Sequence, residues 1–332
     1  MSDAHTTLVT GAAGFIGSAV TRLLSDAGRR AVALDNLECG STRNLPASWP
    51  ESDFLECDVL ETGRLAELMR ARRVESVVHL AALSFIPECD ADPGRVIRVN
   101  VEGTESVLEA AVQNSVRNVF FASSAAVYAP SPIPHDEEDP VGPDDIYGHT
   151  KLFGEQLVAL WSRRTGGRAV IGRFSNVFGP RETIPHVISH ILSSMRSSDS
   201  IRLGNLAPVR DYVFVDDVAR AVLASLDAVG SGVSVFNVSS GEGASVVDLL
   251  RILSELTGRS LEPVVESARV RNVDRPRLIL SNAKLKAEAA WRPQLSLPEG
   301  LRRLLADEEL RDVAGAYRSG RPRPMLKEPQ LH

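Results

Sequence analysis

The chain has 332 residues, 43% hydrophobic and 24% charged, with a formal net charge of −6. That composition describes a globular chain of one large or two modest domains, and the acidic balance argues against nucleic acid as a general partner. Cys39, Cys57 and Cys89 have no metal-ligand spacing, so reduced thiols in a cytoplasmic protein are expected, and no apolar run reaches membrane-spanning length.

The polar stretch Met1 to Thr7 is too short for a signal peptide. Leu8-Val9 then reads as a strand, Ile16 to Leu24 as a helix, Ala31 to Leu34 as a second strand and Phe54 to Cys57 as a third. A helix over Leu65 to Arg72, a strand over Ser76 to Leu80 and a helix over Val99 to Val112 follow. Asn118 to Phe121 is a fifth strand, Tyr147 to Arg163 a helix and Ala169 to Ile171 a sixth strand. Strands that alternate with helices, and that are nearly continuous apolar runs, predict a doubly wound parallel α/β sheet of Rossmann type covered on both faces. Beyond Phe174 the alternation stops. Helices over Val187 to Arg196 and Val218 to Ala228, with short strands between, predict a smaller α/β substrate-binding lobe, and Val235 to Val238 returns to the main sheet. The expected division is residues 1–175 with about 211–238 for the dinucleotide domain, 176–210 with 239–319 for the smaller lobe, and a loose tail over 320–332.

Gly11, Gly14 and Gly17 follow the first strand and open the first helix as G-x-x-G-x-x-G. The first glycine permits the tight turn, the second admits a pyrophosphate to the backbone, and the third lets helix and strand pack closely. Asp35 ends the second strand, where a carboxylate accepts hydrogen bonds from ribose hydroxyls and repels a 2′-phosphate, favouring NAD over NADP. Read alone, Asp35 can equally be a solvated turn residue. Tyr147 and Lys151 share a helix face. For Tyr147 to serve as a base its pKa must fall from about 10 to near 7, roughly 4 kcal/mol of differential stabilisation. The Lys151 ammonium and the positive ring of an oxidised nicotinamide are two sources. Ser123-Ser124 ends the fifth strand on the side where such sheets bind ligands. His186 and His190 have H-x-x-x-H spacing, but Val187 stands where a zinc protease carries Glu, so no metal is expected.

Eight stretches in order resemble an extended short-chain dehydrogenase/reductase of the nucleotide-sugar epimerase/dehydratase family: Thr10 to Ser18, Leu34 to Leu37, His79 to Ala82, Asn100 to Thr104, Ser123 to Tyr128, Tyr147 to Lys151, Arg173 to Arg181 and Arg210 to Asp217. The likeness covers residues 7 to about 310. It implies a catalytic triad of Ser124, Tyr147 and Lys151. It implies NAD contacts from Gly11, Gly14, Phe15, Ile16, Asp35, Asn36, Asp58, Val59, Leu80, Ala81, Ala82 and Asn100, with Tyr147 and Lys151. For a nucleotide-sugar substrate it implies Ser124, Asn176, His186, Arg210, Arg271 and Asp274. Arg271 lies in a stretch without the family's usual Gly-Asp pair and can equally be a surface charge. By the same resemblance the chain forms a homodimer through residues 100–114 and 147–163, although Phe153, Leu157 and Leu160 could equally be internal core.

The residues after Ser124 narrow the reaction. Family dehydratases carry Asp-Glu there and decarboxylases a Glu at the second position, whereas this chain has Ala125 and Ala126, which cannot move protons. The expectation is an NAD-dependent nucleotide-sugar epimerase acting at C4, on a UDP-hexose of the UDP-glucose/UDP-galactose kind. A UDP-glucuronate 4-epimerase, with Arg181 pairing the sugar carboxylate, is one alternative. An NAD(P)H-dependent 4-keto-deoxysugar reductase is another. A third, non-catalytic class is an NAD-binding regulator, which would need no base such as Tyr147.

Overall fold

The computed structural model describes residues 5–182, 184–228, 230–270 and 275–307. The expected tail over 320–332, together with Arg271 and Asp274, lies outside the described residues. Seven strands form one parallel sheet: β1 (Thr6–Thr10), β2 (Ala31–Asp35), β3 (Phe54–Glu56), β4 (Val74–His79), β5 (Asn118–Ser124), β6 (Arg168–Phe174) and β10 (Val233–Val238). Their spatial order is β3-β2-β1-β4-β5-β6-β10. The chain winds outward from β1 to β3, returns to β4 and winds the other way, so a crevice opens between β1 and β4 at their carboxyl ends.

Neighbouring residues of one strand enter opposite cores, which is why the strands read as unbroken apolar runs. Val9, Val78 and Phe120 pack with α1 (Phe15–Asp26) and α8 (Val215–Ala228) on one face. Leu8, Val77 and Val119 pack on the other with α2 (Thr62–Arg72), α5 (Gly103–Gln113) and α6 (Ile146–Thr165). Each such side chain, at or below 1% exposure, contributes about 1.5–3 kcal/mol of burial. Two short helices, α3 (Ile86–Ala91) and α4 (Pro93–Ile97), precede α5, and a wider π turn over Arg98–Glu102 joins α4 to it. The helix expected from Val99 therefore begins earlier and carries a bulge at Asn100.

The smaller lobe is built on β9 (Val209–Phe214), which pairs with β7 (Asn176–Phe178), β11 (Gly243–Ala244) and β13 (Arg277–Leu278). The returning segment thus joins the main body from Val215 onward, while residues 211–214 stay in the lobe's sheet. A parallel pair of β8 (Ser200–Leu203) and β12 (Glu262–Val265), with helices α7 (Val187–Ser194), α9 (Val246–Thr257), α10 (Ala283–Glu288) and α11 (Leu297–Ala306), completes it. No described helix is long and apolar enough to cross a membrane.

Candidate active site

A cleft of about 1200 Å³ runs from the glycine turn, past the ends of β4 and β5, to the lobe around β9. At its first end the backbone is pressed too tightly for side chains. Gly11 has φ +67°, and a Cβ there would lie 2.9 Å from the Ala81 nitrogen. Gly14 caps α1 without a side-chain hydrogen bond, and the first turn of α1 carries no acidic residue. Phe15, Ile16 and Gly17 line the cleft at this uncapped helix start, where free N–H groups and the helix dipole favour a phosphate.

Asp35 is 7% exposed and accepts from the backbone N–H of Ala13 at 3.0 Å and of Leu37 at 2.8 Å. Leu37 itself adopts φ 59°, unusual for a branched side chain. Burial raises the Asp35 carboxyl pKa, and the N–H bonds pull it the other way. Asn36 donates to the Asp58 carboxylate at 2.8 Å, and Val59 lines the wall beside Asp58. Leu80, Ala81 and Ala82 form the opposite wall. The Thr10 hydroxyl accepts from the N–H of Leu80 and Ala81 at 3.2 and 3.3 Å and also bonds His79 Nδ1 at 2.7 Å. Burial, assisted by the Lys151 charge, pushes the His79 pKa down to about 3, so this imidazole is neutral. Asn100 lies behind the wall rather than in it. Its amide brackets Leu83, accepting from the N–H at 2.8 Å and donating to the carbonyl at 2.9 Å. The turn, the uncapped helix and the buried Asp35 carboxylate at the end of β2 fit a dinucleotide.

Midway along the cleft stand Ser124, Tyr147 and Lys151. Asp145 caps α6 by accepting from the Gly148 N–H at 2.7 Å, which starts the helix just before Tyr147. Gly148 lets this helix start lie against the 125–127 turn, since a Cβ there would be 2.7 Å from the Ala126 carbonyl. Lys151 Nζ donates to the Ala122 carbonyl at 2.8 Å and lies 5.9 Å from the Tyr147 ring centre. Burial pushes the Lys151 pKa down to about 8. Burial raises the Tyr147 pKa well above its ordinary value, and the neighbouring Ser124 hydroxyl opposes that rise. Ala125 and Ala126 also face the cleft and bring no titratable group.

The far end gathers Asn176, His186 and Arg210 from β7, the start of α7 and β9. Arg210 Nη1 donates to the carbonyls of Val209 and Arg275 at 2.9 and 2.8 Å. His186 Nδ1 meets the Glu182 carboxylate at 2.5 Å and sets its ring edge-on to Phe85, 6.0 Å between centres. His190 turns instead to the Arg202 carbonyl at 2.8 Å, so the H-x-x-x-H pair is divided between partners. Phe85, Glu182 and Arg275 line the cleft without any local motif to announce them. Arg275 reaches Asp144, ahead of α6, at 2.7 Å.

The model of the NAD dependent epimerase/dehydratase family matches residues 7–239, which take in the glycine turn, the Ser-Tyr-Lys group and the returning strand β10. The chain belongs to that family. It is 34% identical over 308 residues to a UDP-glucose 4-epimerase of Mycolicibacterium smegmatis, covering 89% of this chain and 96% of the relative. Among solved structures it resembles a Thermus thermophilus UDP-glucose 4-epimerase in complex with NAD, with TM-score 0.82 and 31% identity over 92% of this chain and 99% of that one. A Thermotoga maritima UDP-glucose 4-epimerase with UDP-glucose gives TM-score 0.82 and 30% identity over 95% and 99%.

Proposed function

We propose that the protein is an NAD-dependent nucleotide-sugar 4-epimerase acting on UDP-hexoses of the UDP-glucose/UDP-galactose kind. The observation that carries this reading is the grouping of Ser124, Tyr147 and Lys151 beside two alanines, a site equipped to oxidise and reduce one carbon but not to eliminate water. Relatives named UDP-glucose 4-epimerase support the sugar.

NAD, when bound across the glycine turn and Asp35, supplies the two-electron acceptor for C4. Tyr147 Oη takes the proton of the C4 hydroxyl, and the Ser124 hydroxyl donates to the sugar oxygen and fixes its direction. Lys151 holds positive charge below Tyr147 and is itself held by the Ala122 carbonyl. Once the 4-keto sugar has turned over in the cleft, so that the hydride would come back to C4 on the opposite face, Tyr147 returns the proton to the C4 oxygen. Arg210 would grip the diphosphate, whose two charged oxygens match its guanidinium fork. The lobe of residues 176–210 and from 239 onward would supply the nucleotide contacts, with Asn176 and His186 toward the sugar. A glucuronate substrate fits less well, because Glu182 puts a carboxyl into the wall while Arg181 does not line the cleft.

The test is incubation with UDP-glucose and no added cofactor. A product of unchanged mass that co-elutes with UDP-galactose is expected. A product lighter by water or carbon dioxide, or a need for stoichiometric NADPH, would overturn the reading. Removing one charge-assisted contact costs about 1.5–3 kcal/mol, so Arg210→Ala is expected to raise KM for UDP-glucose about ten- to hundredfold. Bound NAD should be unaffected by that substitution, and loss of NAD with it would place Arg210 elsewhere in function.

We further propose a cytoplasmic homodimer paired through α5 and α6. Phe153 and Leu160 sit seven residues apart on α6 and are 50% and 42% exposed, Val112 on α5 is 48% exposed, and Leu157 packs against the core. Phe153→Asp should give a monomer by light scattering with NAD still bound. A mass unchanged from the parent protein would move the interface elsewhere. Cys39, Cys57 and Cys89 form no disulfide, which fits a reducing compartment.

A further inference from the structure

We propose that Glu155 is a positioning residue for the reacting tyrosine, keying the helix that carries Tyr147 and Lys151 onto the strand that carries Ser124. The inference rests on the role proposed above for Tyr147. Tyr147, Lys151 and Glu155 fall at i, i+4 and i+8 of α6, one stripe along the helix. Three successive residues at the end of β5 meet that stripe. Ser124 stands beside Tyr147, the Ala122 carbonyl accepts from Lys151 Nζ at 2.8 Å, and the Ser123 hydroxyl donates to Glu155 Oε1 at 2.5 Å.

At its closest point the contact itself does not hold the register. Gly154 lies flat on Phe121, where a Cβ would be 2.3 Å from Cζ, so the helix approaches closely but brings no side chain to stop it sliding. The key is polar. Glu155 pairs with Arg173 of β6 through two bonds, 2.9 and 2.8 Å, and both side chains are 7% exposed. Arg173 also donates to the Glu137 carbonyl at 3.1 Å and lies 4.7 Å over the Tyr128 ring. The anchor therefore also fastens the segment that runs from Ser124 round to α6. A buried ion pair is a poor source of net stability, since desolvation offsets the attraction, and its best use is to select one arrangement over its neighbours. Here the arrangement selected is the one that puts Tyr147 against Ser124. Groups facing Tyr147 are Lys151 on its own helix, Ser124 from β5, Cys89 from α3 and Asp145 at the helix start.

Ser123→Ala removes the strand-to-helix bond and leaves the Arg173 pair in place, and Glu155→Gln weakens both. On NAD-loaded protein, the ultraviolet phenolate signal of each, minus the same protein with Tyr147→Phe, is titrated against pH, and kcat and KM are measured with UDP-glucose. In Ser123→Ala the Tyr147 midpoint should move to higher pH and kcat fall about tenfold, with KM and bound NAD unchanged. Glu155→Gln should move both further. An unaltered midpoint and kcat in both variants overturns the proposal. So does a loss of kcat that tracks loss of NAD and of melting temperature, the pattern of a purely structural residue. If the parent protein turns over no UDP-hexose yet the midpoints move as stated, the proposed function fails and the positioning role stands.

Discussion

Tyr147→Phe should lower kcat for UDP-glucose about 10³-fold while the protein still purifies with NAD. The change deletes one oxygen and leaves the ring in place. Ground-state binding of sugar and cofactor should hardly alter, so the loss should fall on kcat rather than KM. The structure explains why this oxygen needs help. Burial drives the phenol toward its protonated form, and the neighbouring Ser124 hydroxyl opposes that rise. Lys151, 5.9 Å from the ring centre and bonded to the Ala122 carbonyl, is one of the two sources of stabilisation that the sequence suggests. An oxidised nicotinamide, when bound, would supply the other, which suits an enzyme that keeps its NAD. If the Phe variant epimerised at the parent rate, Tyr147 would not be the base. If neither protein turned over any sugar nucleotide but both held NAD, a regulator on the same fold would be the better description.

The parts of this site that can be read from sequence are those built by neighbours in the chain. Strand-glycine-helix, a tyrosine and lysine one turn apart, and serines at a strand end each carry their geometry in their spacing. The main sheet is legible for a similar reason: burial on both faces makes Leu8-Val9 or Val77-Val78 apolar throughout. The second lobe has no such alternation. Yet Ser245 with Asp248 and Ser296 with Glu299 form capping boxes that start α9 and α11, so those two helices had a readable signal. Glu155 with Arg173, Arg275 with Asp144, and Glu182 in the cleft wall had none. Arg275 and Asp144 are 131 residues apart, and only the docking of the lobe onto the loop before α6 makes them partners. At Asn100 the family pattern names a residue whose surroundings it does not describe: in the π turn at Arg98–Glu102 its amide bonds the Leu83 backbone and braces the cleft wall.

Gly17→Ala should cost the protein its cofactor. A Cβ at this position would sit 1.9 Å from the Gly11 carbonyl oxygen, 2.7 Å from the Gly11 carbonyl carbon and 2.8 Å from Ala12 Cα. All three are backbone atoms, so no rotamer change relieves the clash and α1 must move away from the turn. Overpacking of this kind costs about 1–3 kcal/mol of stability, which lowers Tm by a few degrees in a chain of this size. The larger effect is on binding. The uncapped start of α1, at Gly14 to Ile16, is the element that would meet the pyrophosphate, and losing one charge-assisted N–H contact there costs about 1.5–3 kcal/mol, about tenfold or more in affinity. NAD released from equal amounts of denatured parent and variant measures this directly. Gly63→Ala is the control: it lies in α2 with nothing within 4 Å of its added Cβ, and should gain about 0.5–1 kcal/mol while leaving NAD content unchanged. Full NAD content in Gly17→Ala would mean that the pyrophosphate does not depend on this helix start, and the cofactor would have to be rebuilt around Asp35 and the Leu80–Ala82 wall. Loss in Gly17→Ala but not in Gly63→Ala would tie retention of the cofactor to the closeness of α1 and the Gly11–Ala12 turn, for which only glycine at position 17 leaves room.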